Sequence, residues 1–213
     1  MSTSLKIAVL LSGSGRTLQN FIDLRRAGLL DIEIPLAIGS KGNLLGLQRA
    51  SSAEIPTAVV ERREFKSAGE YCDRVFDLCD QARVDLICLA GWLCLLHLPD
   101  RYLGRAMNIH PALLPSFGGK GMFGHHVHQA VIDHGCKISG CTVHFLDNSY
   151  DTGPIILQRT CPVLDDDTAD ALAGRVFEQE MIAYPEAIRL FGLNRLRIEG
   201  RRVRVMGAIE LAF

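Results

Sequence analysis

The feature that most constrains the fold is an alternation, up to Ala90, of short apolar runs with longer amphipathic segments. Nearly continuous apolar strands joined by helices are typical of parallel sheets whose two faces are both covered. The chain is therefore predicted to be an α/β protein with a Rossmann-like, open, mostly parallel twisted sheet and helices on both faces. The predicted strands are Ile7–Leu11, Glu33–Ile38, Thr57–Val60 and Val84–Ala90, and the predicted helices are Thr17–Arg26, Leu44–Ala53 and Ser67–Gln81.

The pattern changes in the second half of the chain. The strand-like runs Cys141–Leu146 and Ile155–Leu164 are separated only by a short polar loop, which favours a hairpin and a mixed C-terminal part. A long helix is predicted over Thr168–Phe191. A chain of 213 residues with 48% apolar content is most simply one domain, 1–213. Its parts are about 1–105, about 106–192 and a terminal hairpin at 193–213.

Composition argues against several classes of partner. The net charge is -1, so no broad field would attract nucleic acid or anionic lipid. The N-terminal sequence lacks signal-peptide features, and the apolar stretch Leu86–Leu98 is too short for a membrane helix, so a soluble cytoplasmic protein is expected. The seven cysteines form no Cys-x-x-Cys pair, which argues against a disulfide framework or structural zinc. Cys72 and Cys79 share one helix face and are expected in the core.

A glycine-rich turn follows the first predicted strand and opens the first helix. Glycines let the backbone approach an anion, and N–H groups at a helix start point toward it. The turn lacks the third glycine of dinucleotide-binding loops, and no acidic residue ends the second strand. A phosphate site without a nicotinamide cofactor is therefore predicted, with a simple tight turn as the alternative. The candidate residues are Gly13, Ser14, Gly15, Arg16 and Thr17.

Asn108, His110 and Asp151 offer an amide donor, an imidazole and a carboxylate. Such a trio suits chemistry at a carbonyl, because the first two can hydrogen-bond an oxyanion and the carboxylate can orient the imidazole. No nucleophile is evident beside them, so direct transfer from donor to acceptor is favoured over a covalent intermediate. The alternatives are a structural histidine and a turn aspartate that caps Thr152 and Gly153.

The three residues lie in the motifs Met107–Pro115, Gly140–Asp147 and Asp151–Gln158. Together these motifs resemble the 10-formyltetrahydrofolate-dependent formyltransferases, and the resemblance runs from about Leu5 to about Phe191. It implies the formyltransferase fold. It also implies transfer of a formyl group from the co-substrate 10-formyltetrahydrofolate to the amino group of glycinamide ribonucleotide in de novo purine biosynthesis. No metal is required.

The resemblance also assigns roles to individual residues. The amine would attack the formyl carbon while Asn108 and a protonated His110 stabilise the oxyanion. Asp151 would keep His110 charged and organise a water that carries the proton. The glycine-rich turn would bind the nucleotide 5'-phosphate, and 1–105 and 106–192 would be the phosphate-binding half and the catalytic and folate-binding half. The remaining substrate residues are Pro111 and Glu180, the folate residues are Trp92, Leu93, Cys94, Leu95, Leu96, Leu146, Asp147 and Asn148, and the supporting residues are Thr142 and His144.

The segment Ser116–His126 is longer and richer in glycine than in many relatives. It predicts a mobile loop that closes over the substrate phosphate or ribose. Lys120 is a candidate phosphate contact, with a solvated lysine as the alternative. His125, His126 and His128 suggest a metal, but no acidic or cysteine partner completes a site, so none is predicted.

Three alternative functions share parts of this pattern. A methionyl-tRNA formyltransferase would need a further C-terminal domain and a basic surface for tRNA, which we do not expect here. A 10-formyltetrahydrofolate hydrolase would use the same trio with water as acceptor, and its extra N-terminal domain is not expected either. A non-catalytic nucleotide-binding module would tolerate changes at Asn108, His110 or Asp151. The oligomeric state, monomer or homodimer, is left open.

Overall fold

The computed structural model of the chain describes residues 4–207. These residues form two compact units, each of which is described by itself. The first runs up to Ile109 and includes Leu146–Tyr150; the second comprises His110–Phe145 and the residues from Asp151 on. The predicted domain 1–213 therefore extends at both ends beyond the described residues, and that single domain stays a prediction.

The first unit is built of parallel strands in the order β3-β2-β1-β4-β5. These strands are β1 (Leu5–Leu11), β2 (Ile32–Gly39), β3 (Thr57–Val59), β4 (Leu86–Leu89) and β5 (Ala106–His110). The last residue of β5, His110, belongs to the second unit. The helices are α1 (Arg16–Arg26), α2 (Leu45–Ser52) and α3 (Ala68–Gln81). Each predicted strand and helix of this part is confirmed to within a few residues.

Helices cover both faces of these strands, as predicted. Ala8 and Leu10 of β1 join a buried cluster with Val75 and Phe76 of α3. Because successive strand residues point to opposite faces, Leu11 points the other way. Its side chain is close enough to Gly46 of α2 that a Cβ there would lie 2.7 Å from it. The fold class is confirmed.

Local sequence accounts for where α3 begins and why it packs. Ser67 precedes the helix in an extended conformation, and its hydroxyl accepts a hydrogen bond from the Glu70 N–H at 3.1 Å. This is the capping arrangement that satisfies an otherwise unpaired donor. Cys72 and Cys79 lie on the buried face of the helix, which confirms the prediction that both belong to the core.

The second unit begins with the predicted hairpin. Strands β6 (Ile138–Phe145) and β7 (Ile155–Pro162) are antiparallel, which confirms the mixed C-terminal part. A further hairpin of β8 (Leu196–Glu199) and β9 (Arg202–Val205) follows, with β9 parallel to β7. It confirms the terminal hairpin as far as residue 207; positions 208–213 of that prediction lie outside the described residues.

Two helices complete the second unit, and one of them corrects a prediction. Helix α5 (Ala169–Gly192) matches the predicted long helix and packs on β6 and β7. Helix α4 (His125–Asp133) begins where the sequence predicted that the glycine-rich loop continues. The loop interpretation was wrong from His125 on, because Val127 and Val131 bury one face of this short helix, which packs against α5.

The seven cysteines all lie within the described residues, where none of them forms a disulfide. No helix within residues 4–207 is long and apolar enough to cross a membrane.

Candidate active site

We call Gly13–Thr17 the phosphate loop. It follows β1 in the first unit, and Gly13 and Ser14 are exposed. Gly15 has a φ of 71° and precedes the first residue of α1. A Cβ at Gly15 would lie only 2.4 Å from the Gly46 Cα, so both the backbone conformation and the close approach of α2 require glycine. Gly15 is buried, Arg16 is exposed and Thr17 is half-buried.

The predicted folate segments also lie in the first unit. Trp92 and Leu96 are buried, whereas Leu93 is 48% exposed and Cys94 and Leu95 are half-buried. The segment is tied to the residue before the phosphate loop, because the Leu93 N–H donates to the Ser12 hydroxyl at 3.3 Å.

Two hydrogen bonds to backbone groups hold the second predicted folate segment, Leu146–Asn148. The Leu146 N–H donates to the Ala106 carbonyl at 2.9 Å, and the Asn148 side chain accepts from the Leu98 N–H at 2.9 Å. Leu146 and Asp147 are half-buried and Asn148 is exposed. These contacts fix the segment beside the loop that follows Trp92.

In the second unit, the structure brings His110, His144 and Asp151 together. The Asp151 carboxylate lies between the two imidazoles: Oδ2 is 3.5 Å from His110 Nδ1, and Oδ1 is 3.7 Å from His144 Nε2. The side chains of His110 and His144 are 4% and 3% exposed, and that of Asp151 is 11% exposed. Asp151 is thus the one member of this cluster that keeps appreciable contact with solvent.

The opposite nitrogen of each imidazole donates to a backbone carbonyl, which can only accept. His110 Nε2 lies 2.8 Å from the Phe117 oxygen, and His144 Nδ1 lies 2.8 Å from the Phe145 oxygen. These bonds orient both rings toward the Asp151 carboxylate. His144 thus lies next to Asp151, and its supporting role stays a prediction.

Burial lowers the pKa of His110 below its ordinary value, and the neighbouring His144 lowers it further. The Asp151 carboxylate and the Phe117 carbonyl raise the same pKa and so oppose this effect. The pKa of Asp151 is also lowered: burial alone would raise it, but His144, His110 and the Gly119 N–H together outweigh that effect. The desolvation of the His110 ring thus outweighs the attraction of the carboxylate and disfavours the charged imidazolium. Both ring nitrogens of His110 nevertheless face acceptors, the Phe117 carbonyl and Asp151 Oδ2, and only a protonated ring can donate to both at once. The protonated His110 expected from the sequence stays a prediction.

Thr142 on β6 holds the turn that follows His110. Its hydroxyl donates to the Ala112 carbonyl at 2.7 Å and accepts from the Leu114 N–H at 3.0 Å. Gln158 on β7 donates to the same hydroxyl at 2.9 Å and to the Leu114 carbonyl at 3.0 Å. Sequence reasoning named Thr142 as a supporting residue but missed Gln158. Its place opposite Thr142 in the hairpin register was the available signal.

The segment Phe117–Gly119 contacts both His110 and Asp151. Sequence reasoning did not predict these contacts. Besides the Phe117 carbonyl on His110, the Gly119 N–H donates to Asp151 Oδ2 at 2.9 Å. A Cβ at Gly118 would lie 2.5 Å from the Leu114 side chain and 3.3 Å from the Asp151 Cβ. The consecutive glycines at 118 and 119 were the signal: they allow the backbone to approach the carboxylate this closely.

The remaining predicted site residues lie at the ends or faces of regular elements. Asn108 is half-buried on β5, pairs with Leu89 of β4 and precedes His110 by two positions. Pro111 is half-buried directly after His110. Glu180 is half-buried on α5, and its charge contributes to raising the pKa of the Cys141 thiol on β6.

Between residues 4 and 207 there is no group of three or more histidine, cysteine, aspartate or glutamate side chains arranged to hold a metal ion. His125 and His126 are exposed on the first turn of α4, while His128 is buried.

The first unit is a Rossmann-like parallel sheet, and the second holds the His110–Asp151 pair and an antiparallel hairpin. The chain belongs to the formyl transferase family, whose model matches residues 5–188.

Three relatives illustrate the similarity. The chain is 38% identical, over 91% of its length and 90% of the relative's, to a phosphoribosylglycinamide formyltransferase of Haemophilus influenzae. It is 42% identical over 87% of its length to the trifunctional purine biosynthetic protein adenosine-3 of Drosophila melanogaster. Among solved structures, glycinamide ribonucleotide transformylase 1 of Symbiobacterium toebii superposes with a TM-score of 0.90 at 38% identity, covering 97% of this chain and 96% of that one.

The trifunctional relatives are much longer than the matched region. The chain spans 14% of the Drosophila melanogaster protein and 20% of its counterpart in Bos taurus.

Proposed function

We propose that the chain transfers the formyl group of 10-formyltetrahydrofolate to the amino group of glycinamide ribonucleotide, as a phosphoribosylglycinamide formyltransferase of purine biosynthesis. The observation that carries the proposal is the Asp151 carboxylate held between His110 and His144 with a lowered pKa. An ionised carboxylate in a mostly buried polar cluster can accept or relay a proton at neutral pH. The names of the Haemophilus and Symbiobacterium proteins support glycinamide ribonucleotide as the acceptor of a formyl group.

The proposed chemistry is an addition followed by an elimination. The substrate amine forms a bond to the formyl carbon, the carbonyl oxygen becomes an oxyanion, and the bond from carbon to the folate nitrogen then breaks. One proton must pass from the amine to the departing nitrogen. Asp151 takes part through a water that it orients, because its side chain keeps some access to solvent. Atoms and charge then balance without a covalent intermediate on the protein.

His110 is proposed as a hydrogen-bond donor to the oxyanion, with Asn108 as the second donor. In the structure, His110 Nε2 donates to the Phe117 carbonyl. We propose that the oxyanion replaces this carbonyl as the acceptor, so that the donor is already oriented when charge develops. A donor of this kind typically contributes about 3 kcal/mol to transition-state stabilisation.

Substrate binding is assigned to three segments of the first unit and to two residues of the second unit. The phosphate loop is proposed to bind the nucleotide 5'-phosphate, with Pro111 and Glu180 as further substrate contacts. The segments 92–96 and 146–148 are proposed to bind the folate. The indole Nε1 of Trp92 fits this role, because it is buried and has no hydrogen-bond partner among the described residues. A ligand acceptor would satisfy that donor. We place the reaction in the cytoplasm.

The test is formyl transfer by the purified protein, followed as loss of 10-formyltetrahydrofolate with and without glycinamide ribonucleotide. Asp151→Asn should reduce kcat by a factor on the order of 100 to 10,000 while the protein stays folded. Asp165→Asn is the matched control, because Asp165 is an exposed surface aspartate paired with Lys137. It should retain the activity of the unmodified chain.

The outcomes separate the alternatives. Loss of the formyl donor only when the nucleotide is present supports the transferase. Equal loss without the nucleotide points to a 10-formyltetrahydrofolate hydrolase, in which water takes the place of the amine. No loss under either condition contradicts both and favours a non-catalytic binding module.

A further inference from the structure

The phosphate loop is held in place by helix α2. The Gly46 N–H, in the first turn of α2, donates to the Gly13 carbonyl at 3.2 Å. One turn further along, the Arg49 side chain donates from Nε to the Ser14 carbonyl at 3.1 Å. Two consecutive carbonyls of the loop are therefore tied to the same helix.

These two contacts decide where the loop N–H groups point. In a trans peptide the carbonyl and the N–H point in opposite directions. Because the Gly13 carbonyl points toward α2, the Ser14 N–H of the same peptide points away from α2. The Ser14 carbonyl also points toward α2, so the Gly15 N–H points away from it as well. Neither N–H donates a hydrogen bond to any part of the chain between residues 4 and 207. Consecutive N–H groups that point the same way form an anion-binding concavity.

Arg49 has a second bond that fixes its guanidinium. Its Nη1 donates to Oε1 of Gln19 on α1 at 3.1 Å, and Gln19 in turn donates to Asp23 at 2.9 Å. The guanidinium thus spans the loop and the first helix at once, in a fixed fork that a lysine ammonium cannot reproduce.

We propose that Arg49 is a positioning residue for phosphate recognition: it acts through the Ser14 peptide and orients the loop N–H groups toward the 5'-phosphate of the substrate. This inference rests on the proposed function. Arg49 lies outside the segments that the sequence assigned to the substrate. Its effect belongs to binding of the phosphate rather than to formyl transfer.

The test compares Arg49→Met and Arg49→Lys with Gln19→Ala. Arg49→Met removes both donors, and Arg49→Lys keeps the charge but not the fork. Gln19→Ala removes only the second bond and leaves the bond to Ser14. Both Arg49 variants should raise KM for glycinamide ribonucleotide about tenfold and leave kcat within about twofold. Gln19→Ala should raise KM less than either Arg49 variant, because the bond from Arg49 to the Ser14 carbonyl remains.

Two further measurements separate positioning from a loss of fold. Competitive inhibition by inorganic phosphate should weaken in the Arg49 variants by the same factor as KM. Folate affinity, followed by the fluorescence of Trp92, the single tryptophan of the chain, should not change. An unchanged KM in Arg49→Met, an Arg49→Lys variant equal to the unmodified protein, or a parallel loss of folate affinity would each overturn the inference.

The inference and the proposed function can fail separately. Calorimetric titration with inorganic phosphate needs no turnover. If the unmodified protein binds phosphate and Arg49→Met does not, the positioning role stands even if no formyl transfer occurs. If the unmodified protein transfers formyl groups and Arg49→Met binds phosphate equally well, the function stands and the positioning role is wrong.

Discussion

At the scale of single residues, the Thr142 hydroxyl connects three backbone and side-chain groups around the turn after His110. Thr142→Val would leave the buried Leu114 N–H without a partner. We expect the free energy of unfolding to fall by about 1–3 kcal/mol, and kcat to fall because the turn that carries His110 relaxes. Chemical denaturation and steady-state kinetics measure the two effects.

The control for this prediction is Thr142→Ser, which keeps the hydroxyl and should retain most of the stability and activity. Equal losses in the serine and valine variants would mean that the threonine methyl, rather than the hydroxyl, is responsible, and would contradict the role given to these hydrogen bonds.

The ionisation of His110 is a second residue-scale prediction. Burial lowers its pKa, and the Asp151 carboxylate opposes that lowering. Asp151→Asn removes the opposing charge, so the pKa of His110 should fall further below its ordinary value of 6.5. NMR titration of the imidazole signals, assigned with His110→Asn, measures this change. A rise of the His110 pKa in Asp151→Asn would show that the carboxylate is not what opposes the burial.

At the scale of elements, the start of α5 depends on an aspartate in the loop after β7. Asp167 accepts from the Leu164 N–H at 2.8 Å and pairs with both terminal nitrogens of Arg175 at 2.7 and 2.9 Å. Arg175 also donates to the Pro162 carbonyl at 2.8 Å. The loop, the end of β7 and the first turns of α5 are thereby joined by a bidentate ion pair.

This pair makes stability depend on pH in a defined direction. Hydrogen bonds from Arg175 lower the pKa of Asp167 from 3.8 to about 2. A carboxylate with a lowered folded-state pKa stabilises the protein fully above 3.8 and loses that contribution as the pH falls toward 2. Asp167→Asn should therefore unfold more easily at neutral pH. Its stability should also depend less on pH between about 4 and 2, as thermal unfolding at several pH values would measure.

The exposed pair between Lys137 and Asp165 provides the comparison for that prediction. Asp165→Asn removes a surface ion pair, which contributes little to stability. If the two variants were equally stable at neutral pH, the bonds from Leu164 and Arg175 to Asp167 would not be important for the start of α5.

Elements were predicted well where the pattern was local, and poorly where packing decides. The Ser67 cap and the apolar stripe that follows are sufficient to predict α3. Helix α4 has no such signal: Gly124 precedes it, no side chain caps it, and three histidines lie in its first turns. It exists because it packs against α5, which is distant in sequence. Propensity is a weak guide when tertiary contacts outweigh it.

At the scale of the whole molecule, burial of titratable groups makes the fold sensitive to acid. Burial lowers the pKa of His128 to about 4, with His125 and His110 contributing and Asp170 opposing. In the unfolded chain this histidine takes up a proton near pH 6.5, so acid favours unfolding. When the pH is lowered from about 8 to about 5, the titration of His128 alone should reduce the free energy of unfolding by about 2 kcal/mol.

His128→Leu tests this acid sensitivity, because leucine suits the buried site and cannot titrate. Urea unfolding at about pH 8 and about pH 5 should show a smaller loss of stability for the variant than for the unmodified protein. His126→Leu, at an exposed position of the same helix, is the matched control and should keep the full loss. An equal loss in all three proteins would place the acid sensitivity elsewhere.

The sequence by itself determined the alternating strands and helices up to Ala90, the glycine-rich turn after β1 and the positions of Asn108, His110 and Asp151 along the chain, because periodicity and short motifs are local properties of a chain. Only the tertiary structure decided that the Phe117 carbonyl meets His110 Nε2, that Gln158 joins Thr142, and that Arg49 holds the Ser14 peptide. These contacts join residues whose separation along the chain carries no signal. The lowered pKa of His110 also depends on burial, which the whole fold determines.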